Sequence, residues 1–303
     1  MRITIAGGTG LLGRALTAAL LDGGHRVTLL TRGAGAARGA EGVERRTWNP
    51  DGTVGEWAAA LEGADAVVNL AGESIAAGRW TAERRQRILA SRVNATRSLV
   101  AAMETVSRPP TVLVNASAQG YYGDRGDEEL TEESAPGSDF LAEVCLAWEA
   151  EALRATPLAR VVLLRTGIVL SMEEGALPRM VTPFRLFGGG PLGSGRQYMS
   201  WIHEREWVSM AAWAVADDRV VGALNVGSPH PVRNKEFAST LARVLRRPSW
   251  LPAPSFALRA ALGEMAEALL LSSTRMRPAH ALELGYPFEF PGLEPALRDL
   301  LGS

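Results

Sequence analysis

Three glycines near the start of the chain have a spacing that suits phosphate chemistry. Gly7, Gly10 and Gly13 stand between an apolar run, Ile3 to Ala6, and a helix-like stretch, Leu11 to Leu21. In that context the first glycine permits a tight turn. The second lets backbone N–H groups approach a pyrophosphate with no Cβ in the way, and the third allows close helix–strand packing. A helix N-terminus then turns the positive end of its dipole toward the phosphates. The pattern predicts a dinucleotide held over Gly7, Thr9, Gly10, Leu11, Leu12 and Gly13. The next apolar run ends in Thr31-Arg32, where sites for the unphosphorylated ribose usually place a carboxylate. A hydroxyl and a planar guanidinium suit a 2′-phosphate instead, so the expected cofactor is NADP(H). Arg38 could add charge from an Ala/Gly-rich patch, where a solvated side chain is the plainer reading. Small residues close a third run at Asn69-Leu70-Ala71-Gly72, making Leu70, Ala71 and Gly72 candidate contacts. Glu73 fits either a ribose hydroxyl or a surface carboxylate. Arg92 fits either the cofactor or a surface salt bridge.

Groups that could move a proton are few. Ser117 lies just past the run Thr111 to Asn115, where a nicotinamide should sit, and is a candidate for both cofactor binding and catalysis. Tyr121 and Tyr122 follow it, but a tyrosine with a pKa near 10 needs activation to work at neutral pH. His203 titrates in the useful range and could face a cleft, or could be bonded to backbone beneath a loop. Cys145 reads as a small buried apolar residue rather than a reactive thiol. His25, His203, His230 and His280 show no metal-ligand spacing, so no metal is expected.

These groups need a scaffold, and the composition allows one. The chain has 303 residues, 47% of them hydrophobic, which is enough for a large core. Its 32 basic and 33 acidic residues leave a net charge of −1, which argues against a strong footprint for nucleic acid or an anionic membrane. A single cysteine excludes an internal disulfide and suits a reducing cytoplasm. No apolar stretch approaches the ~18 residues of a spanning helix. Met1 to Ile5 reads as a strand rather than a leader.

Short apolar runs (Ile3 to Ala6, Arg26 to Leu30, Ala66 to Leu70, Thr111 to Asn115, Val161 to Leu164) alternate with helical stretches (Leu11 to Leu21, Thr81 to Met103, Asp139 to Arg154). That alternation predicts an α/β fold, a Rossmann doubly wound parallel sheet with a smaller C-terminal α/β lobe. Residues 1–170 would form the NADP-binding domain. Residues 171–303 would be mostly a substrate or partner lobe, with the chain returning to the sheet near 223–226. Glycine-rich residues 188–195 read as a loop, and Asn234 to Leu245, Phe256 to Leu271 and Leu293 to Leu301 as helices.

Gly7 to Gly13, Asn69 to Gly72, Asn94 and Ser117-Ala118-Gln119-Gly120-Tyr121-Tyr122-Gly123 resemble the extended short-chain dehydrogenase/reductase superfamily, of the NAD(P)-dependent epimerase/dehydratase type. Closer still is the atypical subfamily called epimerase family proteins, through Glu73, Trp80, Ser91-Arg92, Asp139-Phe140, Trp148-Glu149, Pro183-Phe184, Trp201-Ile202-His203 and Gly285-Tyr286. The resemblance runs from residue 1 to about 290. It implies NADP at the glycine loop, Thr31, Arg32, Leu70, Ala71 and Arg92, and a strand-end contact from Thr166 to Ile168. It also implies a homodimer through the helices Thr81 to Met103 and Asp139 to Arg154.

That superfamily normally uses a Tyr-x-x-x-Lys pair, in which tyrosine transfers the proton and lysine lowers its pKa. The only lysine is Lys235, and Pro231 stands four residues before it. Four residues past Tyr121, Tyr122, Tyr198 and Tyr286 stand Arg125, Gly126, Ile202 and Phe290. The pair is absent, and by register Leu141 and Cys145 take its places. Two functions follow as expectations. One is an NADP(H)-dependent epimerase or oxidoreductase acting on a small carbonyl or sugar-type substrate, with an atypical proton donor. The other is a non-catalytic NADP(H)-binding sensor or interaction protein.

Overall fold

A computed structural model describes residues 1–33 and 43–302; Arg38 lies outside the described residues. Seven strands form the central sheet: β1 (Arg2–Ala6), β2 (Arg26–Thr31), β3 (Val43–Thr47), β4 (Ala66–Asn69), β5 (Val112–Ala118), β6 (Arg160–Thr166) and β7 (Gly222–Val226). They lie in the spatial order β3-β2-β1-β4-β5-β6-β7, and every neighbouring pair is parallel. This is the expected doubly wound sheet. The order reverses between β1 and β4, and an open parallel sheet leaves its ligand crevice at such a reversal.

Alternate residues of the inner strands feed two separate cores. Ile3, Ile5, Val68, Val114 and Val162 pack toward helices α1 (Leu11–Asp22) and α5 (Glu204–Ala216). Val67, Leu113 and Leu163 pack toward the opposite face, which α2 (Ala82–Thr105) covers with Leu99 and Met103, and α3 (Phe140–Leu153) with Ala152. Both sides of each strand must therefore be apolar, which is why these runs show no polar alternation. Thr81 caps α2 by accepting from the Arg84 N–H at 3.2 Å, and Asp139 caps α3 through the Ala142 N–H at 2.9 Å.

A third core lies beyond the sheet. Leu170, Leu177, Phe184, Trp201, Phe237, Leu241 and Leu297 fill it, supplied largely by α4 (Ala176–Arg185), α6 (Asn234–Leu245) and the last helix, Leu293–Leu301. Three two-stranded ribbons tie the smaller lobe together. Ile168–Leu170 pairs with Trp201–His203, Tyr198–Met199 with Val232–Arg233, and Glu129–Leu130 with Arg275–Met276.

Two expectations need correcting. The stretch Phe256 to Leu271 is not one helix. Gly263, at φ +63°, ends the helix Ser255–Leu262, and a short turn followed by a π-type turn completes the segment. Strand β3 was not expected at all, because its Val-Glu-Arg-Arg-Thr sequence is an exposed sheet edge. No described helix is long and apolar enough to cross a membrane.

Candidate functional site

The loops after β1 and β4 meet at the point where the strand order reverses. Gly7 adopts φ +80°, and a Cβ there would stand 2.6 Å from the Leu70 carbonyl carbon and 2.8 Å from the Ala71 nitrogen. At Gly13 a Cβ would lie 2.4 Å from the Gly7 oxygen. Both glycines are therefore required by the protein's own backbone. Gly10 is different, because a Cβ there would touch only the Gly7 oxygen, at 3.6 Å. Its missing side chain leaves room on the outer side, where a ligand would approach.

Gly10 is also the N-cap of α1, with no capping side chain and no carboxylate in the first turn. The N–H groups of Leu11, Leu12 and Gly13 have no hydrogen-bond partner among the described residues. Such orphan donors at a dipole's positive end form an anion site. The residues present thus fit a dinucleotide pyrophosphate. Thr31 closes β2 with its hydroxyl donating to the Gly33 carbonyl at 3.4 Å, and Arg32 is exposed beside it.

Asn69 is fully buried and holds the second loop in place. Its amide donates to Thr96 Oγ1 at 2.9 Å and to Asn115 Oδ1 at 2.7 Å, and its oxygen accepts the Ala71 N–H at 3.1 Å. Arg92 donates from α2 to the Glu73 carbonyl at 3.0 Å and lies 5.2 Å over the Trp148 ring. Its guanidinium presses on Gly72, whose absent Cβ would be 3.2 Å away. Burial pushes Arg92 below the ordinary arginine value. The Glu73 carboxylate is held by Arg84 at 2.6 Å.

α3 runs beside the end of β5. Leu141, Cys145 and Glu149 share one face of α3, turned toward the end of β5. Cys145 Sγ lies 3.8 Å from the Ala118 carbonyl, and Gly120 sits where a Cβ would be 3.0 Å from Leu141 Cβ. Burial, with the Glu149 charge nearby, pushes the Cys145 thiol up to about 12.

Ser117 is buried and donates to Glu149 Oε1 at 2.6 Å. Glu149 also accepts both arms of Arg165, at 2.9 Å each. Arg165 continues to the Tyr122 hydroxyl at 3.1 Å, and that hydroxyl donates to Asn225 Oδ1 at 2.7 Å. Tyr122 is fully buried, and burial pushes it up to about 12. The fork of Arg165 on Glu149 is a buried two-armed ion pair behind the site, and neither residue is among the sequence candidates. One signal is in the sequence: Arg165 follows the apolar run Val161-Val162-Leu163-Leu164 directly, and a charge inside a doubly covered strand needs a buried partner.

Three proton-transfer candidates need correcting. His203 is 1% exposed and caps α5, its Nδ1 accepting the Arg205 N–H at 3.0 Å and its Nε2 facing Asp299 at 3.1 Å. Phe290 stacks on its ring at 3.9 Å. It faces no cleft. Tyr122 and Ser117 are locked in the network just described. Tyr121 alone stays half-buried, its ring 3.4 Å beneath the Arg165 guanidinium. Thr166 accepts from Trp207 Nε1 on α5 at 3.1 Å, and the Ile168 N–H is bonded to the Ser200 carbonyl at 2.7 Å.

Comparison with known proteins gives the family and the fold. The model of the NAD dependent epimerase/dehydratase family matches residues 3–227, and a domain of unknown function (DUF1731) matches residues 253–300. Epimerase family protein YfhF of Bacillus subtilis is 40% identical, over 100% of this chain and 99% of its own length. The crystal structure of human epimerase family protein SDR39U1 (isoform 2) with NADPH is 35% identical, covers 100% of both chains and superposes with a TM-score of 0.91. A UDP-glucuronic acid 4-epimerase from Bacillus cereus, solved with UDP-glucuronic acid and NAD, shares the fold at a TM-score of 0.79 and 15% identity.

Proposed function

The chain belongs to the NAD dependent epimerase/dehydratase family, and we propose that within it this protein binds NADP(H) and presents it to a small carbonyl or sugar-type substrate. The observation that carries this reading is the uncapped N-terminus of α1. Its free N–H groups face an outer surface that Gly10 leaves open, with Arg32 at the end of the neighbouring strand. The relative solved with NADPH supports the phosphorylated cofactor.

When bound, the cofactor supplies hydride. The chain's own part is to hold the pyrophosphate at Leu11 to Gly13, the 2′-phosphate at Thr31 and Arg32, and the adenosine side against Leu70, Ala71 and Gly72. Arg92 works from beneath, by fixing the backbone of Gly72 and Glu73. Thr166 and Ile168 border the nicotinamide end. Tyr121 holds the proton for the substrate oxygen, because its hydroxyl is the candidate donor that no buried partner occupies among the described residues. Leu141 and Cys145 make an apolar wall that excludes water and carries no proton.

That same wall favours a second reading, in which the protein binds NADP(H) without turning it over. Thermal stabilisation by NADPH, followed by NADPH oxidation against carbonyl compounds and nucleotide sugars, separates the two. Oxidation that Tyr121→Phe abolishes, with NADPH stabilisation intact, supports the first. Silence across the panel with full stabilisation establishes the second. Absence of any stabilisation refutes both.

A further inference from the structure

Two hydrogen-bonded segments of the smaller lobe carry five large exposed apolar side chains. Leu186 and Phe187, after α4, are 75% and 56% exposed, and Trp250, Leu251 and Phe256 are 69%, 51% and 73% exposed. Two loops bring them together. The Leu251 N–H donates to the Gly189 carbonyl at 3.3 Å, and the Ala253 N–H to the Pro191 carbonyl at 2.9 Å. The Arg247 guanidinium lies 4.7 Å over the Phe187 ring. Phe256 stands on the helix Ser255–Leu262, none of whose residues is buried. Phe187 holds φ 62°, a left-handed conformation costly for a bulky residue, and its ring is on the surface. An exposed cluster of this kind marks a contact surface rather than scattered apolar residues.

Charge identifies what the surface meets. Residues 175–203 contain Arg179, Arg185 and Arg196 and no Asp or Glu, and residues 237–263 contain Arg243, Arg246, Arg247 and Arg259 and no Asp or Glu. Arg243 and Arg259 are paired with Glu294 and Glu267. Arg185, Arg246 and Arg247 are exposed, and no ion pair joins them to a carboxylate among the described residues. The near-neutral balance of the whole chain, which argued against a membrane footprint, averages over this face. Tryptophan and phenylalanine settle at the boundary between headgroups and hydrocarbon, while arginine lays its stem on the apolar side and its head on phosphate. A second copy docked on this face by a two-fold axis would bring unpaired arginines against one another. We propose that this face rests on an anionic lipid surface, with Trp250 and Phe256 inserted and Arg185, Arg246 and Arg247 on the headgroup phosphates.

The test is flotation of the full chain with phosphatidylcholine vesicles, with and without about one third phosphatidylglycerol. The chain floats with the anionic vesicles at about 0.1 M salt, loses most of that binding at about 0.5 M, and stays behind with neutral vesicles. Trp250→Ser with Phe256→Ser cuts partitioning about tenfold or more, and Arg246→Ser cuts it about fivefold. Because these side chains are exposed, both variants keep the parent melting temperature and its response to NADPH, which separates lost docking from lost folding. No flotation on anionic vesicles overturns the proposal. Flotation unchanged in the Trp250/Phe256 variant also overturns it. So does self-association, or capture of an acidic protein, that this variant abolishes while vesicles are never bound.

Discussion

Replacing Glu149 with glutamine removes one half of the buried pair behind the candidate site. The Glu149 and Arg165 side chains are 7% and 6% exposed, and Glu149 accepts Ser117 at 2.6 Å and both arms of Arg165 at 2.9 Å. Glutamine keeps one acceptor but turns an NH2 toward the guanidinium, leaving a buried charge without its counterion. Removing one partner of such a pair costs about 3–5 kcal/mol. With an unfolding entropy of ~2 cal/mol/K per residue, a chain of this length should melt about 5–8 °C lower. Thermal unfolding followed by circular dichroism reads this directly. Arg165→Met alone costs a similar amount, and in the cycle of Glu149→Met and Arg165→Met the double variant costs less than its two singles together, because no lone charge remains. A Glu149→Gln variant that melts within about 1 °C of the parent would refute the reasoning. So would strict additivity in the double variant, because the pair would then carry no coupling.

Three further outcomes follow from the same geometry. Gly13→Ala places a Cβ 2.4 Å from the Gly7 oxygen. The loop must then move, and the loss of about two charge-assisted phosphate hydrogen bonds weakens NADPH roughly 100-fold in a calorimetric titration; retained affinity would contradict the loop's role. The Cys145 thiol, buried and pushed up to about 12, stays inert to a thiol reagent at pH 8 until the chain unfolds, so rapid native labelling would contradict its burial. Burial holds His203 below the ordinary histidine range, so the unfolded state binds the extra proton first. Its stabilising contribution is full above the unfolded pKa of about 6.5 and is lost as pH falls through the folded value. His203→Gln, measured by melting temperature from pH 5 to pH 8, should flatten that slope, and an unchanged slope would assign it to another group.

The parts of this molecule legible in the sequence are those where local pattern and tertiary demand coincide. Gly7 and Gly13 announce the turn because no other residue tolerates backbone at those distances, and Gly10 because its missing side chain leaves the outer side open. The return strand near 223–226 is readable because Leu224 and Val226 enter the core that α5 covers. Strand β3 is not readable, since four of its five residues are exposed and a sheet edge imposes little on composition. The break at Gly263 is hidden for another reason: the apolar residues on either side of it mimic one helix. At the candidate site, spacing alone puts Leu141 and Cys145 on one face of α3. What Ser117, Tyr122 and His203 touch could not, because Glu149, Arg165, Asn225 and Asp299 come from distant parts of the chain.

The most direct test of the cofactor assignment compares NADPH and NADH binding to the parent and to Arg32→Ala. Arg32 is exposed at the end of β2, so its removal should leave the fold and the pyrophosphate contacts untouched. Loss of a charged hydrogen bond to the 2′-phosphate, worth about 1.5–3 kcal/mol, should weaken NADPH roughly 10- to 100-fold and leave NADH within about threefold. A parent protein that prefers NADH, or an Arg32→Ala variant that loses both coenzymes equally, would contradict the assignment.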